Sequence, residues 1–130
     1  MKNDSKGFTL IELLIVIVII GLLVAIVVPK FANGKERAII ATMRSDLHNL
    51  LGAQEGYYSN GQMYYNGPLP NAALPYSIST GGTVTLSSVS AAGWAATITN
   101  VGSSRTCAMF VGAAAAPPPA VFDGQVACTP

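Results

Sequence analysis

The first part of the chain is a long apolar segment with very few polar interruptions. From Phe8 to Val28, only Thr9 and Glu12 break the run of apolar side chains. These 21 residues would form a helix about 31 Å long, and the hydrocarbon core of a bilayer is about 30 Å thick. The pattern therefore predicts a helix over 8–28 that is able to cross a membrane.

After Pro29 the pattern becomes amphipathic. Between Phe31 and about Tyr58, apolar residues recur at steps of three and four, as they do on one face of a helix. Together the two segments predict one helix of about 50 residues, bent near Pro29 because proline removes a backbone hydrogen bond. The apolar face contains Ile39, Ile40, Met43, Leu47, Leu50, Leu51, Tyr57 and Tyr58. The charged residues and the histidine are expected to lie mostly on the other faces: Lys35, Glu36, Arg37, Arg44, Asp46, His48 and Glu55.

The second half of the chain carries turn and strand signals. Asn-Gly pairs and prolines indicate a connecting region from Gly56 to about Leu74. Beyond it, short runs of strand-forming residues separated by turns are typical of an antiparallel meander. The predicted strands are Thr83–Val89, Trp94–Thr99 and Thr106–Val111, and Tyr76–Ser79 is a candidate for an extra edge strand.

The predicted fold class is therefore α+β, a long N-terminal helix packed on a small antiparallel meander sheet of three to four strands. The apolar face of the helix around Leu47 is expected to cover one face of that sheet. The tail from Ala113 to Pro119 contains three consecutive prolines and cannot form a central strand. We expect this tail to be a loop that returns to Cys128.

Glu12 is the most unusual residue of the apolar segment. A charge in hydrocarbon costs several kcal/mol unless it is paired or neutralised. Nothing close to Glu12 in its own segment carries a positive charge. We therefore expect some other group to meet this carboxylate.

Charge and composition argue against a nucleic-acid-binding protein or an enzyme. The formal net charge is +1 and no block of basic residues occurs, so nucleic acid is not expected as a direct ligand. His48 is the only histidine, and we expect it to be solvated. No catalytic triad or metal-ligand spacing can be assembled, so no catalytic residue, metal or cofactor is predicted. The tyrosine pairs 57/58 and 64/65 are better explained by loop packing than by base stacking or electron transfer.

The two cysteines, Cys107 and Cys128, admit two interpretations. In an exported protein such a pair indicates a disulfide, whereas in a cytosolic protein it indicates two buried thiols. The membrane segment favours export. Closing the loop between the two cysteines would contribute about 3 kcal/mol in the chain-entropy model.

Two ordinary alternatives exist for the apolar segment. A secretory signal peptide has a shorter apolar region and a small-residue cleavage site, and the end of this run, Ala25-Ile26-Val27-Val28-Pro29, offers no such site. A plain single-span anchor fits the hydropathy equally well. It does not account for Glu12 or for the glycine directly ahead of the run.

The string Gly7-Phe8-Thr9-Leu10-Ile11-Glu12, followed by the apolar run, resembles the N-terminus of type IV prepilins. The resemblance implies a leader peptide at 1–7, cleavage between Gly7 and Phe8, and methylation of the new Phe8 amine. It also implies a transmembrane and polymerisation helix at 8–29 and a globular pilin domain at 30–130. Gly21 and Pro29 match the positions where such helices are weakened, and Cys107 and Cys128 match a C-terminal disulfide-bounded loop.

The function implied by the resemblance is structural: a subunit of a type IV pilus, the major pilin. Its partners would be other copies of the chain, a prepilin peptidase and the inner-membrane assembly machinery. The precursor would span the inner membrane once with its N-terminus in the cytoplasm, and the mature chain would form an extracellular filament for adhesion, twitching motility or DNA uptake. Glu12 would pair with the Phe8 ammonium of a neighbour. The alternatives are a pseudopilin of a type II secretion system, a minor or competence pilin, and a membrane-anchored binding module that never polymerises.

Overall fold

The computed structural model describes residues 7–130, apart from the side chain of Ala32. Within that range the chain forms one long helix, α1 (Leu10–Gly61), and then four strands. The chain is divided into two compact units, Met1–Lys35 and Glu36–Pro130. The strands are β1 (Gly82–Ser90), β2 (Gly93–Asn100), β3 (Thr106–Gly112) and β4 (Ala127–Cys128).

The first unit holds the apolar part of α1. Each side chain from Phe8 to Phe31 is exposed, as the values of 82% for Leu10 and 54% for Ile19 illustrate. Pro29 lies inside the helix, which continues past it. The 52-residue length of α1 confirms the predicted helix of about 50 residues, whereas the bend near Pro29 stays a prediction.

In the second unit the four strands form one antiparallel sheet in the order β1-β2-β3-β4. The three predicted strands are confirmed to within one residue at each end. The register aligns Ile98 of β2 with Val84 on one side and Cys107 on the other, so these residues share a face. That face is apolar and packs into the core.

The predicted stripe on α1 covers this sheet. Met43, Leu47 and Leu50 are fully buried, and they belong to the same core cluster as Trp94 and Met109 of the sheet. The fold class predicted from the sequence is thereby confirmed.

Asp46 is an exception to the expectation that the charged residues lie mostly on the outer faces of α1. Asp46 is only 4% exposed. Its carboxylate accepts the Ser79 backbone N–H at 3.1 Å and the Ser79 hydroxyl at 2.8 Å. Burial of the charge is tolerated because both oxygens are hydrogen-bonded.

The same contact explains why the candidate edge strand at Tyr76–Ser79 is wrong. The N–H of Ser79 is used by Asp46 and not by a neighbouring strand, and the segment has no regular secondary structure. The fourth strand is instead β4, two residues long, at the end of the chain. The connecting region also starts later than predicted, because α1 continues to Gly61.

The C-terminal tail is held to the rest of the globular unit by a disulfide and by hydrogen bonds. The Cys107–Cys128 disulfide joins β3 to β4, where the two residues are register partners. Arg105 donates to Glu36 at 3.1 Å and to the Thr129 carbonyl at 3.0 Å. The tail between β3 and β4 contains no strand, as its prolines predict.

Candidate functional site

The N-terminus of α1 is closed by reciprocal hydrogen bonds between Thr9 and Glu12. The Thr9 backbone N–H donates to Glu12 Oε2 at 2.8 Å, and the Glu12 backbone N–H donates to Thr9 Oγ1 at 3.3 Å. The Thr9 hydroxyl also donates to Oε2 at 2.9 Å. This arrangement is a capping box, which satisfies N–H groups that the first turn of a helix leaves without partners.

The capping box gives Glu12 a partner that the sequence analysis did not identify. The carboxylate is met by neutral donors from its own turn, and the positive end of the helix dipole also favours a negative charge there. The signal was present in the sequence as Thr-x-x-Glu directly before an apolar run. Among the described residues no cation pairs with Glu12, so its charge is hydrogen-bonded but not neutralised.

The bond between Gly7 and Phe8 lies just outside α1 in an exposed part of the chain. Phe8 is 90% exposed, and a Cβ atom placed on Gly7 would meet no other atom within 4 Å. No described part of the chain therefore covers the Gly7–Phe8 bond. The rest of the predicted leader, residues 1–6, lies outside the described part of the chain.

The apolar part of α1 has the length and composition of a membrane span. Its most apolar 18-residue window has a mean hydropathy of 3.4, and none of that window is buried. A helix that is apolar on every side needs lipid or other helices around it. The site is therefore a surface for other molecules and not a pocket for a small substrate.

Gly21 and Pro29 both lie within the continuous helix. Glycine costs about 1 kcal/mol relative to alanine in a helix interior, and Pro29 cannot donate to the Ala25 carbonyl. Partial unwinding of residues 21–29 in an assembled filament stays a prediction. Continuous helical density through this stretch in a filament reconstruction would contradict it.

The tyrosines after Glu55 pack against one another at the end of α1. The Tyr58 and Tyr64 rings are stacked with centroids 4.6 Å apart, and Tyr57 meets Tyr65 edge-on at 5.6 Å. Burial and a hydrogen bond to Glu55 raise the pKa of the Tyr64 hydroxyl. These contacts support the packing interpretation of the tyrosine pairs.

Two other sequence expectations concern polar chemistry. His48 is exposed, in agreement with the prediction of a solvated residue. Within residues 7–130, no three His, Cys, Asp or Glu side chains are grouped closely enough to hold a metal ion.

Comparison with known proteins identifies the family. Residues 2–28 match the family model for the prokaryotic N-terminal methylation motif. The type IV wide pilus major component PilA4 of Thermus thermophilus is 38% identical over 91 residues, which cover 70% of this chain and 68% of that protein. The chain belongs to the type IV pilin family. This pilin therefore carries its family motif at the same residues that form the capping box and the exposed apolar helix.

Other relatives match over shorter stretches. Fimbrial protein EcpC of Eikenella corrodens is 43% identical over 77 residues, covering 56% of this pilin and 46% of EcpC. The type II secretion system core protein G of Klebsiella pneumoniae is 42% identical over 60 residues, covering 46% of this pilin and 43% of that protein. This pilin thus spans less than half the length of these two relatives, and similarity alone does not separate a pilus from a secretion system.

Proposed function

We propose that this pilin is the major structural subunit of a type IV pilus. The observation that carries the proposal is the exposed apolar segment from Phe8 to Val28, which has a single capped carboxylate at the start of α1. The similarity to the wide pilus major component PilA4, over 68% of that protein, favours a major pilus subunit. Full burial of one large apolar side chain contributes about 1.5–3 kcal/mol. The many exposed apolar residues therefore favour a lipid environment before assembly and a bundle of identical helices after it.

Before assembly, the chain is proposed to be held in the inner membrane by a single span. Positive residues tend to stay on the cytoplasmic side, but they flank both ends of the apolar segment: Lys2 and Lys6 before it, and Lys30, Lys35 and Arg37 after it. The proposed orientation, with the N-terminus in the cytoplasm, therefore follows the type IV pilin family and not the count of flanking charges. The globular unit would then lie on the exported side. The disulfide between Cys107 and Cys128 fits this placement, because disulfides persist in oxidising compartments.

Processing is proposed to occur at the exposed bond between Gly7 and Phe8. A prepilin peptidase would remove residues 1–7, and methylation of the new Phe8 amine would follow. The capping box survives this cut, because both of its residues lie on the mature side. Cleavage therefore creates a new positive charge next to a helix start that is already formed.

Assembly is proposed to pair the Phe8 ammonium of one subunit with Glu12 of a neighbour. Leaving one member of a buried ion pair without its partner costs about 3–5 kcal/mol. Any register that separates the two charges is therefore less stable, so the pair can fix the register between subunits in the filament core. The inner-membrane assembly machinery would supply the mechanical step that removes each subunit from the lipid.

A pseudopilin of a type II secretion system is the second candidate, because the Klebsiella pneumoniae core protein G is similar to this pilin over 60 residues. A minor pilin and a membrane-anchored module that never polymerises are further alternatives. All of them share the apolar helix, so the filament itself must be examined.

The test is to shear surface material from cells, image it by electron microscopy with antibodies to this pilin, and repeat this on a deletion strain. We expect labelled filaments that disappear in the deletion strain while secretion of exported enzymes continues. Loss of secretion with no surface filament would favour the pseudopilin. Absence of both effects would favour the non-polymerising anchor.

A further inference from the structure

Just beyond the apolar segment, one face of α1 carries a shallow groove that is open to the surroundings. It is lined by Val27, Lys30, Phe31, Gly34 and Lys35. Their spacing of three, four, seven and eight residues from the first places them on a single helix face. The groove lies entirely within the first compact unit.

Gly34 is the residue that opens this groove. A Cβ atom added to Gly34 would meet nothing within 4 Å, so the space above it is free. Lys30 precedes Gly34 by one helical turn and Lys35 follows it directly. The long side chains of both lysines can lie along an apolar surface while their ammonium groups reach polar surroundings.

The axial spacing of the two lysines matches the thickness of a lipid headgroup layer. Lys30 and Lys35 are five residues apart, a rise of about 7.5 Å along the helix. The headgroup region on each side of a bilayer is roughly 5–8 Å thick. Because the apolar segment ends at Val28, a chain that spans the membrane would place Lys30 and Lys35 within this layer.

The charge of the groove favours an anion. Two lysines and no acidic residue line it. Glu36, the next residue along the chain, is paired with Arg105 at 3.1 Å. Val27 and Phe31 supply apolar surface on the side that is continuous with the membrane segment.

We propose that this groove binds an anionic phospholipid in the exported-side leaflet while the pilin is still in the membrane. The phosphate would lie between Lys30 and Lys35 above Gly34, and an acyl chain would lie along Val27 and Phe31. The inference rests on the membrane stage of the proposed function. It adds a specific lipid contact that is released when the subunit enters a filament.

The test uses the full chain reconstituted in vesicles of phosphatidylethanolamine with a minor fraction of phosphatidylglycerol. The protein is extracted in mild detergent, and native mass spectrometry measures the ratio of phosphatidylglycerol to phosphatidylethanolamine that it retains. Three variants are compared with the wild type: the double change Lys30→Gln and Lys35→Gln, the groove-filling change Gly34→Leu, and the control Arg44→Gln. Arg44 is an exposed cation outside the groove, and leucine is a better helix former than glycine.

We expect the wild type and Arg44→Gln to retain phosphatidylglycerol preferentially. The double lysine variant should lose this preference by at least fivefold, since a basic residue near an anionic surface changes binding by about that factor. Gly34→Leu should lower it at unchanged charge. Equal retention of both lipids by the wild type, or no effect of Gly34→Leu, would overturn the proposal that the groove binds an anionic lipid.

A separate control tests the membrane stage of the proposed function. If alkaline carbonate removes the chain from the vesicles, the chain does not span the membrane, and the proposed membrane stage is wrong.

Discussion

At the residue scale, Glu12 combines two roles that substitutions can separate. Its carboxylate closes the capping box with Thr9, and its charge is proposed to pair with the Phe8 ammonium of a neighbour. A glutamine can still serve at the third helical position of a capping box, but it carries no charge. Thr9→Val has the opposite effect, since it removes the hydroxyl and keeps the charge.

We predict that Glu12→Ala inserts into the membrane normally and yields far fewer filaments. Glu12→Gln should be equally defective if the charge drives assembly, whereas Thr9→Val should lose only the cap, worth about 1 kcal/mol, and still assemble. The measurements are the amount of pilin in membranes and in sheared filaments. Normal piliation by Glu12→Gln would refute the ion pair and leave capping as the role of Glu12.

Tyr76 provides a second prediction at this scale. Its hydroxyl is buried and has no hydrogen-bond partner among the described residues. Burial, and then the nearby Asp46 carboxylate, raise the pKa of Tyr76. The folded state therefore holds the phenol proton more tightly than the unfolded chain does, and the resulting stability is present below about pH 10 and lost at higher pH.

We predict that Tyr76→Phe leaves the free energy of unfolding at pH 7 unchanged or raises it by up to about 1 kcal/mol, because an unpaired buried hydroxyl is removed. Above pH 10 the variant should lose stability less steeply than the wild type. Denaturant unfolding of the full chain in detergent can be followed by the fluorescence of Trp94, the single tryptophan, which is buried. Parallel stability profiles of the two proteins above pH 10 would contradict this account.

At the scale of elements, α1 holds both ends of the irregular segment between helix and sheet. Gln54 is fully buried; its amide donates to the Tyr65 carbonyl at 3.0 Å and accepts the Tyr65 N–H at 2.8 Å. Asp46 holds the other end through Ser79. Two polar side chains of the helix thus bind the backbone of the segment near both of its ends, while Tyr65, Leu74 and Tyr76 anchor it in the core.

We predict that Gln54→Ala lowers the free energy of unfolding by about 2–3 kcal/mol, since it leaves two backbone groups of Tyr65 unpaired. The matched control is Gln125→Ala at an exposed position, which should change stability by less than about 0.5 kcal/mol. The same Trp94 fluorescence measures both variants. Equal stability of the two would show that Gln54 does not hold the segment.

The helix and the three main strands could be predicted from periodicity because burial on one face repeats along the sequence. The burial of Asp46 and Gln54 could not be predicted in this way. Their partners, Ser79 and Tyr65, are distant in sequence, and the backbone groups that bind them leave no pattern among the side chains. β4 is too short to leave a pattern and is positioned by Cys128. The cap at Thr9 could have been predicted, because its motif is local.

At the scale of the whole molecule, the chain consists of two units that differ in whether they bury their own apolar side chains. The unit from Glu36 onward buries its own core and fastens its tail with a disulfide. The unit that contains the apolar helix leaves its apolar side chains exposed. Sequence hydropathy was sufficient to predict an apolar helix that a single chain cannot bury. Hydropathy does not specify which molecules cover that helix.

The most direct test of the account is the intact mass of the pilin recovered from sheared surface filaments. We predict a chain that begins at Phe8, carries one added methyl group, and gains two hydrogens on reduction of the Cys107–Cys128 disulfide. A filament chain that retains residues 1–7, lacks the methyl group or shows no mass change on reduction would contradict the proposal.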